Sequence, residues 1–149
     1  MNNARKTFNM LLDSVVTARL SGFEFRTGDE QNPELNPPSV IVAWLNGDDQ
    51  GKRPESRMRL VQVTVAVGDQ DTSGAENACQ EILRGLGLHV GSRPRYITPK
   101  KDYTVTPAVN LATNIEVSVF GTKGWQRVDP PESLMRVYVI TLAVDYTPD

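Results

Sequence analysis

The residues best placed to do chemistry are Asp69, Asp71, Ser73 and Gly74, within the run Gly68-Asp-Gln-Asp-Thr-Ser-Gly74. Oxygen-bearing side chains at the first, third and fifth places of a loop, with glycine at the sixth, open a calcium site of the EF-hand type. The twelfth place decides against it. Gln80 stands there, and an amide cannot supply the bidentate carboxylate that completes the coordination sphere. The segment before the loop also reads as strand, where such a site needs helix. The same residue types open helices: Ser73 with Glu76 three residues on matches a capping box. Helix capping is therefore the expected role, and no metal is assigned to Asp69, Asp71 and Ser73.

Other chemistry finds less support. His89 is the only histidine, so a Ser-His-Asp or Cys-His arrangement would have to use it, and no G-x-S-x-G elbow accompanies it. A turn leaving a helix is the simpler place for it. Gly85 and Gly87, with Gly91 beyond, hint at a phosphate loop, but such loops lead from strand into helix and this one leaves a helix. Helix termination fits better. No catalytic residue and no cofactor are expected, and the protein is not read as an enzyme.

Basic residues suggest a different class of function. Arg93, Arg95, Lys100 and Lys101 interleave with Tyr96 and Tyr103, a combination suited to phosphates and stacked bases. Yet 16 lysines and arginines stand against 18 acids, without the global bias of a dedicated nucleic-acid binder, and a solvated loop is the expectation. Lys52, Arg53 and Arg57 neighbour Asp48, Asp49 and Glu55, a mixture that fits a protein interface. Trp44 lies inside an apolar run and belongs in a core. Trp125 stands in the polar loop Gly121-Thr-Lys-Gly-Trp-Gln-Arg127, where it anchors an interface or folds back on its own domain. The interface candidates are Arg53, Arg57, Tyr96, Lys123, Trp125 and Arg127.

These residues must be carried by a frame, and the frame centres on Arg59 to Gly87. Val61, Val63, Val65 and Val67 alternate with Gln62, Thr64 and Ala66, the period of a strand with one inward face. Beyond the capping run, Ala75, Ala78, Cys79, Ile82, Leu83 and Leu86 recur at helical spacing. Upstream, Phe8, Leu11, Leu12, Val15 and Val16 mark a helix from about Asn3 to Leu20 that ends at Ser21-Gly22. Phe23 to Phe25 reads as a short strand before a loop from Thr27 to Pro38. Ser39 to Leu45 is a continuous apolar run and reads as a central strand. Asn46 to Arg57 holds nothing that would anchor in a core and reads as a loop. Downstream, residues 92 to 107 have no clear pattern. Asn114 to Phe120 and Leu134 to Tyr146 pair most simply as an antiparallel hairpin whose tip spans 121 to 133.

The predicted fold is α+β: a mixed or antiparallel sheet of about four to five strands with two main helices on one face. The 149 residues suit one domain, residues 1–149, with extended loops near 46–57, 92–107 and 121–133. The single cysteine, Cys79, lies on the apolar helical stripe and excludes an intramolecular disulfide, which fits folding in a cytoplasm. The N-terminus lacks the apolar core of a signal peptide, and no segment approaches the roughly 18 apolar residues that span a bilayer.

An N-terminal helix, then VQVTVAV followed by the D-x-x-S-G-A-E-x-A helix start, then a hairpin ending VITLAVDYTPD resembles the tail terminator (tail completion) proteins of tailed bacteriophages. The likeness covers most of the chain in order and size. A neck or head-to-tail joining protein shares much of it. The resemblance implies a structural virion protein at the head-proximal end of the tail, assembled in the host cytoplasm. It would form a hexameric ring on the tail tube, stop tube polymerisation and present a docking surface to the head. The implied partners are further copies of the chain, the tail tube protein, a neck or head-completion protein and a tail sheath. No membrane is implied, and DNA would meet the ring only by passing through its lumen.

Overall fold

The valine alternation marks the middle of the fold. In a computed structural model that describes residues 2–28, 35–45, 47–88, 94–97, 101–110, 115–121 and 124–148, strand β4 is Arg57–Val67. It pairs antiparallel along its full length with the last strand, β10, Arg136–Tyr146. Val61, Val63 and Val65 lie opposite Leu142, Ile140 and Tyr138, and all six side chains are buried. Cross-strand apolar pairs of this kind are the unit of sheet stability.

Outward from this pair come β2 (Ser39–Trp44) and β1 (Glu24–Thr27) on one side, and β8 (Ile115–Val119) and β5 (Arg95–Ile97) on the other. Two short strands attach off this path: β3 (Asp49–Gln50) on β4, and β9 (Gln126–Arg127) on β10. Among the described residues the sheet has 8 strands, more than the four to five expected. The additions are β3, β5 and β9, each two or three residues long and too short to show a period of two. Because β1 runs parallel to β2 while the other neighbours are antiparallel, the sheet is mixed. A separate two-stranded ribbon, β6 (Lys101–Asp102) with β7 (Val109–Asn110), stands apart. The hairpin expected from the last two long runs is present, with Leu142 opposite Val119.

Strand β2 is not central; it lies between β1 and β4. Its continuous apolar run arises because both of its faces are covered: Val40, Val42 and Trp44 belong to the main core, and Ile41 on the other side is also buried. The segment expected as an unstructured loop, 46–57, contains β3 and a return tied by Ser56, whose side chain is fully buried. Polar anchoring replaced the missing apolar anchor.

Helix α1, Asn2–Arg19, buries Ala4, Phe8, Leu12, Val15 and Val16. Helix α2, Thr72–Gly85, buries Ala75, Ala78, Cys79, Ile82 and Leu83. Both stripes join one core with the inward residues of β2, β4, β8 and β10, so the two helices share one face of the sheet. The N-cap of α2 is Asp71 rather than Ser73. Its carboxylate accepts the Gly74 amide at 2.9 Å, and a side chain at Gly74 would meet that carboxylate at 2.2 Å. At the other end the Leu88 amide donates to the Leu83 carbonyl at 2.7 Å and that of Gly87 to Arg84 at 2.9 Å. With Gly87 at φ +72 this is a Schellman motif, and buried Leu88 supplies its apolar contact.

Candidate interaction surfaces

The turn that carries Asp69 and Asp71 is closed by the Asp71 amide on the Gly68 carbonyl at 3.2 Å. Asp69 and Gln70 are both left-handed, at φ 58 and 52, a conformation that non-glycine residues adopt at a cost. The Gln70 amide donates to the Leu134 carbonyl at 2.6 Å, which joins this turn to a second one containing Glu132 at φ 56. Pro37, Pro38 and Val67 complete a shallow depression of about 670 Å³ beside it. Asp71 is engaged in capping, Ser73 is exposed on the first helical turn, and among the described residues no three His, Cys, Asp or Glu side chains group to hold a metal. His89, Gly91, Arg93, Lys100 and Lys123 lie outside the described residues.

At the opposite end of β4 the 49–57 hairpin bends over the sheet. The Lys52 amide donates to Asp145 at 2.7 Å, and the Lys52 ammonium pairs with Glu116 on β8. That ammonium holds the Glu116 carboxyl below its usual range, against the upward pull of burial and helped by the Tyr96 hydroxyl. Gly51 makes the bend possible: a Cβ there would lie 2.1 Å from Ser56 Oγ and 2.7 Å from Asp145 Oδ2. Tyr146 Oη donates to Asp48 at 2.9 Å; its burial and that carboxylate push its pKa up to about 12. Of the arginines expected at an interface, two lie here: Arg53 pairs with its neighbour Glu55 at 3.6 Å. Arg57 is exposed and donates to the Ser56 carbonyl at 2.9 Å.

In the 121–133 loop Trp125 is half-buried and packs against the main core, so it folds back on its own domain. It still lines a second shallow depression of about 670 Å³ with Phe120, Gln126, Arg127, Val139 and Thr141. The loop is clasped by Asp129, which accepts from the Val137 amide at 2.7 Å, Arg127 Nε at 2.6 Å and Arg136 Nη1 at 3.3 Å. Burial raises the Asp129 pKa, but these donors outweigh it and the net shift is downward.

The basic and aromatic residues divide between two elements. Arg95 donates to the Gly85 carbonyl at 3.2 Å, across the end of α2. Tyr96, on the edge strand β5, is exposed. The β6–β7 ribbon is pinned to α1 by Lys6 and Asp102, 3.6 Å apart, and exposes Tyr103, Val105 and Val109. Among the described residues these side chains form no single groove that tracks a phosphate backbone.

One surface was not anticipated. On the face of the sheet opposite the helices, register places Ala43, Gln62, Thr64, Ser118, Val139 and Thr141 at the centre, while Ser39, Ile41, Ala66, Val137, Ala143 and Asp145 around them are buried. The six at the centre are half-buried and none is charged. The signal was available in the off-phase positions of the valine run, Gln62, Thr64 and Ala66, where an exposed strand face would be expected to carry some lysine or glutamate.

No protein-family model matches the chain, and no curated protein matches it. The chain is nevertheless an α+β domain with two helices and a mixed sheet, and its described surfaces are shallow, broad and stabilised by internal polar contacts. Shallow surfaces of that kind suit contact with other macromolecules better than enclosure of a small ligand.

Proposed function

We propose that this protein is a structural subunit of a bacteriophage tail, a tail terminator that assembles as a closed hexameric ring.

 The single observation that carries this reading is the uncharged, half-buried centre of the sheet face opposite the helices, Gln62, Thr64, Val139 and Thr141, with exposed apolar side chains at its margin, Phe120 and Val128. Interface cores are depleted in charge and enriched in aromatic residues. The element order also supports it: helix, strands, helix and terminal hairpin follow in the sequence of the tail proteins that the chain resembles. On this reading the subunit acts by geometry. It recognises the last ring of tube subunits, covers the surface on which the next would add, and offers a docking surface to the head or neck. It belongs at the head-proximal end of the tail in the virion and is assembled in the host cytoplasm.

A ring needs heterologous contacts on two sides of each subunit. The edge strands β1 and β5, the 49–57 hairpin and the β6–β7 ribbon supply different surfaces for them. The test is to mix the purified protein with polymerising tail tube protein and image the products by electron microscopy. Rings that cap tubes of arrested length are expected. Tubes that grow to unchanged length, with no density at their ends, would refute the proposal.

A further inference from the structure

We infer that a narrow depression between α1 and the β1–β2 edge of the sheet is an anchor site for a carboxylate on a short carbon stem, the group that a glutamate side chain of a protein partner presents. The inference stands apart from the tail reading and requires no ring.

The depression holds about 190 Å³ and is lined by Arg5 and Asn9 of α1, Thr27 and Gly28 at the end of β1, and Val42 and Trp44 of β2. Register brings them together: β1 runs parallel to β2 with Thr27 beside Val42, and Phe8 of α1 meets the Trp44 ring edge-on, centroids 5.8 Å apart. Val42 and Trp44 are buried and form the apolar wall. The Arg5 guanidinium lies over the indole, 5.9 Å from its centroid, where the ring face attracts a cation. Trp44 Nε1 donates to Asn9 Oδ1 at 3.2 Å. Because an indole nitrogen only donates, it fixes which end of the amide it meets, and the Asn9 nitrogen stays a donor on the other arm. Thr27, exposed at the mouth, adds a hydroxyl. Among the described residues that line the depression none is acidic. The neighbouring charges Lys6 and Arg26 pair with Asp102 and Glu24.

These parts select the ligand. A guanidinium, an amide nitrogen and a hydroxyl all donate to an oxyanion, and the fork of an arginine matches a carboxylate with two parallel hydrogen bonds. The wall of Val42 and indole suits a carbon stem, which inorganic phosphate lacks. Size narrows the choice further. Pockets for drug-sized ligands run to about 300–1,000 Å³, and this one is smaller, so it takes one acidic side chain or a small free acid. Arginine and tryptophan are also the residue types that most often anchor protein interfaces.

The experiment follows the Trp44 indole N–H by NMR in the full chain; the protein has two tryptophans, and Trp125→Phe assigns the signal. The probes are N-acetylglutamate amide, its glutamine counterpart, butyrate and inorganic phosphate. A saturable shift with a Kd of about a millimolar is expected for the two carboxylates, and none for the glutamine probe. Arg5→Gln should weaken binding by about tenfold or more, and Arg5→Lys should recover only part of it, because an ammonium lacks the fork. Thr27→Glu, at an exposed position that leaves the packing alone, should weaken binding by repulsion. Circular dichroism checks that each variant is folded. Equal binding of the two carboxylates supports a partner's side chain, whereas binding of butyrate alone keeps the carboxylate site and overturns the partner. Silence from both carboxylates overturns the inference, as does an equal response to the glutamine probe, tighter binding of phosphate, or unchanged affinity in both Arg5→Gln and Thr27→Glu. Binding that appears only when Asp29→Asn and Glu30→Gln are combined would mean that the chain's own acids compete for the depression, and overturns it too. None of these results bears on tube capping, which the mixing experiment reads separately.

Discussion

Gly85→Ala should destabilise the protein, although alanine is the better helix former. Gly85 is the last residue of α2, where that helix approaches α1. A Cβ at this position would lie 2.4 Å from Val15 Cγ1, 3.0 Å from Cγ2 and 3.1 Å from Arg19 Cδ, against about 3.5–4.0 Å for an ordinary carbon contact. Val15 cannot swing aside, because a β-branched residue has one strongly preferred rotamer in a helix and this one is buried. The helices must separate instead. Overpacking of this kind costs about 1–3 kcal/mol. The propensity gain of alanine over glycine, at most about 1 kcal/mol in a helix interior, offsets part of it. The net loss is about 1–2 kcal/mol, which with a urea slope of about 2 kcal/mol/M lowers the unfolding midpoint by about 0.5–1 M. Val15→Ala alone should cost about 1–3 kcal/mol by leaving a cavity. In the double variant the new methyl occupies part of that space, so the two effects should fall short of their sum by about 1–2 kcal/mol. A midpoint for Gly85→Ala equal to or above the wild type, or strict additivity in the cycle, would refute the close helix approach.

Asp71→Ala should lose about 1 kcal/mol through the missing cap, while Ser73→Ala stays within about 0.5 kcal/mol; urea melts measure both, and added calcium should leave the wild-type midpoint unmoved. Asp129 has its folded pKa below the unfolded value, so its stabilisation is complete above about pH 4 and is lost as pH falls through the folded pKa. Asp129→Asn should therefore melt below the wild type at neutral pH, and the gap should narrow on acidification. A gap that widens in acid would reverse that sign. Burial pushes the Cys79 thiol up to about 12, so a thiol reagent at mildly alkaline pH should leave the native protein unmodified and react with one thiol after denaturation. Rapid labelling of the native state would show that α2 does not stay docked.

The parts of the fold legible in the sequence are those held by long periodic patterns. The α2 stripe from Ala75 to Leu86 and the valine alternation of β4 each repeat often enough to reveal one buried face, and both faces are buried as expected. Strand order was not legible. A continuous apolar run tells that β2 is covered on both faces, but the covering of Ile41 says nothing about how many strands lie beyond it. The short strands escaped because β3, β5 and β9 are fixed by the partners they pair with, Met58, Val117 and Tyr138 among them, and not by any pattern of their own. The cap moved from Ser73 to Asp71 because both residues can accept an amide hydrogen, and only the path of the chain through Gln70 decides which one reaches it. At the surface, loop composition drew attention to Trp125 and the arginines, whereas the neutral sheet face became visible only once register placed residues from four strands side by side.

Strand β10 lies at the middle of the sheet and follows all of its partners, β4, β8 and β9, in the chain. During synthesis on the ribosome, β4 emerges with a full-length unpaired edge and must wait until residues 136–146 follow before that edge is closed. Until then the valine face of β4 and the inner face of β8 have no strand between them, and the partners are separated by about seventy residues or more of chain, a separation that makes closure slow. An arrested or truncated product lacking β10 would therefore be two half-sheets with exposed inner edges, a form prone to aggregate and to pair with other nascent chains. The yield of this protein in a cell should depend on how fast residues 136–146 follow β4 out of the ribosome as much as on the stability of the finished fold.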